Sequence, residues 1–326
     1  MRAPDFWTRP GLISRLLAPL AALWSLAGAW RMASASPYRP GVPVICVGNL
    51  VAGGAGKTPV VESLIRRLHA QGVEAHVLSR GYGGREKGPC RVDPARHESA
   101  QVGDEPLLLA RSAPTWVARD RAAGAKAAVA AGARMVVMDD GFQNGSLVKT
   151  LSLLVVDGGY GFGNGRVMPA GPCREPVARA LARADAVVLV GEDRVGITDR
   201  LAASGLPILR ARIVAGPDGA ALAGKRVVAF AGIGRPAKVF ALLRELGADV
   251  VKAVAFPDHH PYRIDEFEDL AEAAEERDAV LVTTAKDAVR LPALLRHRFS
   301  VLDTILVWED EAALTSVLAK AGLSGV

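Results

Sequence analysis

The sequence predicts an α/β protein of two domains, each a parallel or mostly parallel sheet with helices on both faces, preceded by an N-terminal apolar helix. Three observations carry that expectation. Short apolar, β-branched runs alternate with amphipathic stretches along most of the chain, which is the pattern of βαβ units. A glycine-rich turn between Gly48 and Pro59 joins one such run to a helical stretch. The chain has 326 residues, half of them hydrophobic, enough for two cores and large for one.

Taken in order, the first element is the apolar N-terminus. No residue from Leu16 to Trp30 is charged; Arg15 and Arg31 bracket the run, Trp7, Trp24 and Trp30 lie nearby, and Pro19 and Gly28 interrupt it. At about 15 residues it falls short of the roughly 20 that cross a bilayer. A basic start before an apolar stretch also suits a signal peptide, but Asp5 lies in the charged region. A helix lying in the membrane interface, anchored by Trp and Arg, fits better, with an ordinary core helix as the alternative. Residues 1–36 are assigned to this element.

Pro43 to Val47 reads as a buried parallel strand, and Val60, Val61, Leu64, Ile65 and Leu68 follow at helical spacing. Strand, glycine loop and helix thus stand in the order that a phosphate cradle requires. Ala52, Gly53, Gly54, Ala55, Gly56, Lys57, Thr58 and Pro59 are the candidate nucleotide-binding residues. Glycines let backbone N–H groups turn inward, Lys57 brings a charge for the outer phosphates, and the Thr58 hydroxyl suits Mg²⁺. The helix N-terminus adds its partial positive charge. The first domain is therefore expected to be of the P-loop NTPase type, with ATP and Mg²⁺ as its ligands. Val51 stands where the usual pattern has its first glycine, and the flexibility has moved to Gly53 and Gly54.

Ala75 to Ser79, Thr115 to Ala118, Met135 to Met138, Leu151 to Val156 and Ala186 to Val190 read as further strands of a domain over 37–206. Residues 207–225, with a short β-like run from Pro207 to Val214 and the turn at Gly216 to Gly219, look like a hinge. A smaller α/β domain over 226–326 follows, including a strand from Val301 to Trp308 and a helix from Ala312 to Ala321.

The net charge is +6 and the pI about 9.4, which favours anionic partners without selecting one. Basic runs with interleaved aromatics are absent, so nucleic acid is a weak reading, and no obligate protein partner is inferred. Cys46, Cys90 and Cys173 form no C-x-x-C pair and read as reduced thiols.

Asp139 and Asp140 end an apolar strand, where P-loop proteins keep the acid that holds Mg²⁺. Asp104 and Glu105 open a helix, so one of them can simply cap it. Asp258, His259 and His260 follow a strand of the second domain. Adjacent histidines point in different directions, so one functional imidazole beside one structural one is preferred to a shared metal. Gly232, Gly234 and Ala237 match a dinucleotide fingerprint weakly, and no acid ends the next strand as that site requires.

These segments together resemble the tetraacyldisaccharide 4'-kinases of lipid A biosynthesis. The resemblance runs through Val47 to Leu50, Gly56 to Pro59, Ser79 to Gly84, Val102 to Pro106, Asp139 to Gln143, Gly171 to Pro176, Phe230 to Gly234, Phe256 to His260 and Thr283 to Asp287. It departs at Asn144, where the family usually has His, and at Ala285, where it has Glu. It implies ATP-dependent phosphorylation of the 4'-hydroxyl of a tetraacylated glucosamine disaccharide 1-phosphate, on the cytoplasmic face of the bacterial inner membrane, with the anionic membrane surface as a partner. Lys57 and Thr58 would engage ATP and Mg²⁺, Asp139 or Asp140 and Glu175 would complete the metal shell, and Asp104 with His259 would form the base. Arg80, Arg121 and Arg174 are candidates for the substrate's phosphate or the transferring group. The competing expectation is a membrane-recruited P-loop ATPase switch, which needs no sugar acceptor.

Overall fold

Thirteen short strands, five of them buried along their whole length, assemble into two sheets in the computed structural model, which describes residues 4–322. They are β1 (Val44–Asn49), β2 (Ala75–Ser79), β3 (Cys90–Arg91), β4 (Thr115–Val117), β5 (Met135–Asp139), β6 (Leu151–Asp157), β7 (Ala186–Val190), β8 (Ile208–Ala215), β9 (Arg226–Ala231), β10 (Asp249–Ala255), β11 (Val280–Thr284), β12 (Ser300–Leu302) and β13 (Thr304–Trp308). The large sheet has the order β13-β8-β7-β6-β1-β5-β2-β4-β3, parallel except for the antiparallel pairs β13/β8 and β3/β4 at its two edges. The small sheet, β10-β9-β11-β12, is parallel throughout.

β1 is central because it is apolar on both faces. Ile45 and Val47 join Leu64 and Leu68 of the helix Lys57–Ala70 on one side. Val44 and Cys46 join Phe142, Leu154 and Leu189 on the other. In the small sheet, β9 plays the same part between Phe240 and Leu243 on one face and Phe267 and Leu270 on the other.

Two boundaries differ from the sequence reading. The run Val301 to Trp308 is two strands, split at Asp303: β12 completes the small sheet, while β13 pairs with β8 in the large one. The helix Glu311–Ala319 then packs Leu314, Val317 and Leu318 into the large core, Trp308 Nε1 donates to Ser63 Oγ at 2.9 Å, and Arg67 pairs with Glu311. Residues 304–322 therefore belong to the first unit, not to a domain over 226–326. The expected hinge over 207–225 contains a full strand, β8, whose Leu209 and Ala211 are buried in the large core. The second unit is an insertion between β8 and β13. Its two connections run side by side, with Gly216 N donating to Asp303 O at 2.8 Å.

At the N-terminus a short helix, Leu12–Leu16, is followed by Ala18–Ala33. Only Ala21 of the longer helix is buried, while Leu12, Leu16, Leu20, Leu23, Leu26 and Trp30 are exposed, Leu12 at 72% and Trp30 at 73%. Trp7 and Trp24 are tied to the core through indole N–H bonds to Pro169 O (3.1 Å) and Arg174 O (3.3 Å). Among the described residues no helix is long and apolar enough to cross a membrane.

Candidate active site

β1 and β5 lie side by side with Val47 opposite Asp139, so the loop after β1 and the acids after β5 emerge at one edge. Gly53 and Gly56 take φ values of 109° and 85°, the left-handed region that glycine tolerates best. The loop is stitched by Asn49, fully buried, whose Nδ2 donates to Val51 O at 2.8 Å and Gly53 O at 3.3 Å. Lys57 opens the helix, with Nζ 3.2 Å from Asn49 Oδ1 and 3.5 Å from Asp140 Oδ1. Thr58 follows it in the first turn.

The twin acids are not equivalent. Asp139 is buried; Ser79 Oγ donates to its Oδ2 at 3.3 Å, and its buried Oδ1 has no hydrogen-bond partner among the described residues. Burial, followed by the charge of Glu105, pushes the Asp139 carboxyl up to about 7 against the pull of Lys57. Asp140 adopts φ 49° and accepts Arg174 Nη1 at 2.9 and 3.0 Å. Burial would raise it too, but Lys57 and Arg174 outweigh burial and hold it below the usual carboxylate range.

Two residues that the resemblance brings into the site stand behind it. Glu175 gives both oxygens to Arg183 at 2.8 Å and one to Gln143 Nε2 at 3.2 Å; Gln143 in turn donates to Asn49 O at 3.0 Å. Its lone pairs are engaged by a guanidinium, one hydrogen bond removed from the loop, which argues against metal ligation. Arg121 is buried, donating to Ala118 O at 2.8 Å and Asp139 O at 3.4 Å, and burial pulls its pKa down to about 10. Its two terminal nitrogens brace the end of the acid strand, and its buried Nε has no hydrogen-bond partner among the described residues. Arg80 is exposed just beyond β2, and Arg174 is half-buried on Asp140.

Across the cleft, the turn after β10 puts His259 at φ 60° with its N–H on Gly232 O. His259 Nδ1 donates to Asp104 Oδ2 at 2.8 Å, and Arg290 Nε donates to the same oxygen at 2.6 Å. Burial would raise Asp104, but these two partners hold it below the ordinary range. The Tyr82 ring lies 5.4 Å from the imidazole. His260 is occupied elsewhere, bonded to Glu266 at 2.9 Å and stacked on Phe256. Among the described residues no cluster of three or more His, Cys, Asp or Glu is arranged to hold a metal ion.

Three further contacts join the units around the loop. Lys286 pairs with Glu105 at 3.1 Å, and Asp157 at the end of β6 accepts Arg235 and Lys238, each at 2.6 Å. The turn read as a weak dinucleotide fingerprint rests on the phosphate loop: a Cβ added to Gly234 would lie 3.0 Å from Gly54 N. Sequence reasoning missed Asn49, Gln143 and Arg290. Asn49 and Gln143 lie inside segments that carry the family resemblance, whereas Arg290 lies three residues beyond one.

The fold and this arrangement have counterparts. The sequence profile of the family described as Tetraacyldisaccharide-1-P 4'-kinase matches residues 13–322. Tetraacyldisaccharide 4'-kinase of Paramagnetospirillum magneticum is 58% identical over 323 residues, 99% of each chain. That of Rhodospirillum centenum is 58% identical over 331 aligned positions, covering 100% of this chain and 98% of the relative. The crystal structure of LpxK from Aquifex aeolicus in complex with ATP superposes with a TM-score of 0.77 at 26% identity, covering 95% of this chain and 99% of that one. On this evidence, the chain belongs to the tetraacyldisaccharide-1-phosphate 4'-kinase family.

Proposed function

We propose that the chain transfers the γ-phosphoryl group of ATP to the 4'-hydroxyl of a tetraacylated glucosamine disaccharide 1-phosphate at the cytoplasmic face of the bacterial inner membrane. The observation that carries this reading is the Asp104–His259 pair, held at 2.8 Å next to Glu105, whose carboxylate feels the charges of both His259 and Lys57. With Nδ1–H committed to Asp104, His259 Nε2 takes the proton of the 4'-hydroxyl as that oxygen bonds the γ-phosphorus. The bond from the γ-phosphorus to its bridging oxygen breaks, ADP leaves with the electron pair, and Lys57 with the loop N–H groups stabilises the charge that gathers there.

The partnerless Oδ1 of Asp139 and the Thr58 hydroxyl suit a hard cation, and Mg²⁺ bound by them would neutralise phosphate charge. Asp140, drawn by Lys57 and Arg174, adds a negative group beside them. Closure of the second unit through Asp157, Glu105 and Asp104 would exclude water that otherwise competes for the γ-phosphoryl group.

The exposed leucines of the N-terminal helices and Trp30 support a helix lying in the membrane interface, next to Arg174 through the Trp24 bond. Arg174 and Arg80 remain the candidates for the substrate's phosphate.

Purified protein incubated with γ-labelled ATP, Mg²⁺ and the disaccharide 1-phosphate in mixed micelles should move label into the lipid. Label released only as inorganic phosphate, at the same rate with or without lipid, would instead favour an ATPase switch.

A further inference from the structure

Asp104 Oδ2 receives two donors from the second unit, and only one of them belongs to the acid–base pair. The other, Arg290, is itself anchored. It is 3% exposed at the side chain, and its Nη1 lies 2.7 Å from Gly232 O and 2.9 Å from Asp287 Oδ1. Asp287 is fully buried and accepts Thr284 Oγ1 at 2.6 Å, Tyr262 O–H at 2.8 Å and Gly232 N–H at 2.9 Å. A guanidinium is a planar fork, so fixing one nitrogen on two acceptors fixes where Nε points. Here it points across the boundary between the units, at the oxygen that also meets His259.

We propose that Arg290 is a positioning residue for phosphoryl transfer, docking Asp104 against the second unit so that the carboxylate meets His259 Nδ1, and offsetting part of that carboxylate's pull on the imidazole. The inference rests on the acid–base reading above. Its electrostatic part follows from the groups around the ring. Asp104 bonds Nδ1, Asp258 Oδ1 lies 3.8 Å from Nε2, and Glu105 lies beyond on Lys286, which also approaches Asp258 at 3.8 Å. Tyr82 covers another side. Three carboxylates thus surround the histidine, offset by Lys286, by Arg290 and, through Glu105, by Lys57. Removing Arg290 leaves Asp104 with its full negative charge on the ring, which favours the imidazolium and takes the base out of its working form as pH falls.

The test uses the full chain, with lipid phosphorylation measured across the acid limb of the pH profile. Arg290→Gln should lower kcat about 10-fold or more, leave the KM for ATP unchanged, and move the acid limb upward by about one pH unit. Arg290→Lys, which keeps the charge but not the fork, should hold the limb in place and recover only part of kcat. Wild-type kcat in either variant overturns the proposal, as does a slower Arg290→Gln enzyme whose acid limb has not moved. If thermal unfolding shows that Arg290→Gln does not fold, Arg290→Lys decides: lowered kcat at constant KM for ATP supports the role, and wild-type kcat removes it. His259→Gln is assayed alongside. Near-normal activity there sinks the acid–base reading itself, whereas an inactive His259→Gln beside wild-type Arg290 variants removes only the positioning role.

Discussion

His259 Nδ1 and Asp104 Oδ2 are 2.8 Å apart although 155 positions separate them, Asp104 opening a helix of the first unit and His259 lying in a turn of the second. A hydrogen bond of this kind exists only while the two units are closed on each other. In the proposed mechanism the base is therefore assembled only where the two units meet.

If the two act as one base, Asp104→Ala and His259→Ala should each lower kcat by about 10²–10⁴ with little change in ATP affinity. The double variant should be scarcely worse than either single one, because residues acting as a unit are non-additive. Lipid phosphorylation by the three variants checks this. Multiplicative losses, or a single variant with full activity, would remove the pair from the mechanism.

Lys57 sits on Asn49 and Asp140 at the start of the helix that follows the glycine loop. Lys57→Ala should reduce transfer by about 10²–10³ or more, since the charge that stabilises the departing phosphate is gone. Nearly normal turnover would refute the assignment of the loop.

Removing residues 1–33 deletes the exposed apolar helices and leaves β1 and the phosphate loop in place. The shortened protein should no longer sediment with anionic vesicles at moderate salt, while nucleotide binding stays measurable by titration calorimetry. Continued sedimentation would show that another surface does the anchoring.

Asp139 gives a pH dependence with a definite sign. Unfolded, it titrates as an ordinary aspartate; folded, burial and then the Glu105 charge raise it to about 7. A raised carboxyl binds its proton more tightly in the folded state, so stability falls as pH rises from the ordinary aspartate value towards about 7, and the loss is complete above that. Asp139→Asn should therefore raise the Tm of the nucleotide-free protein by roughly 2–8 °C at mildly alkaline pH, have little effect near the ordinary aspartate value, and abolish transfer. An equal Tm change at both pH values would refute the account.

What was legible in the sequence is what lies close together along the chain. The strand, glycine loop and helix from Val44 to Ala70 are contiguous, and periodicity marks each part. Asp104 and His259 became a pair only through the family resemblance, because nothing local links a helix start to a turn in another sheet. The surroundings of single charged groups were not legible either: both Glu175 oxygens meet Arg183, and Arg121 donates to the backbone oxygens of Ala118 and Asp139. The division at Asp303 was invisible because β-branched residues continue on both sides of it, and only pairing partners distinguish β12 from β13.

The return of the chain through β13 also has a consequence for synthesis on the ribosome. β8 keeps an unpaired edge, and the face of the large core under the helix Glu311–Ala319 stays open, until residues 304–322 have left the exit tunnel. The inserted unit can fold earlier, since β9 to β12 and the helices Pro236–Glu245 and Ile264–Glu275 packed on them are already out. The nucleotide-binding half, translated first, is thus finished last, and nascent chains stopped between Ala215 and Thr304 should display the β8 edge to chaperones and proteases.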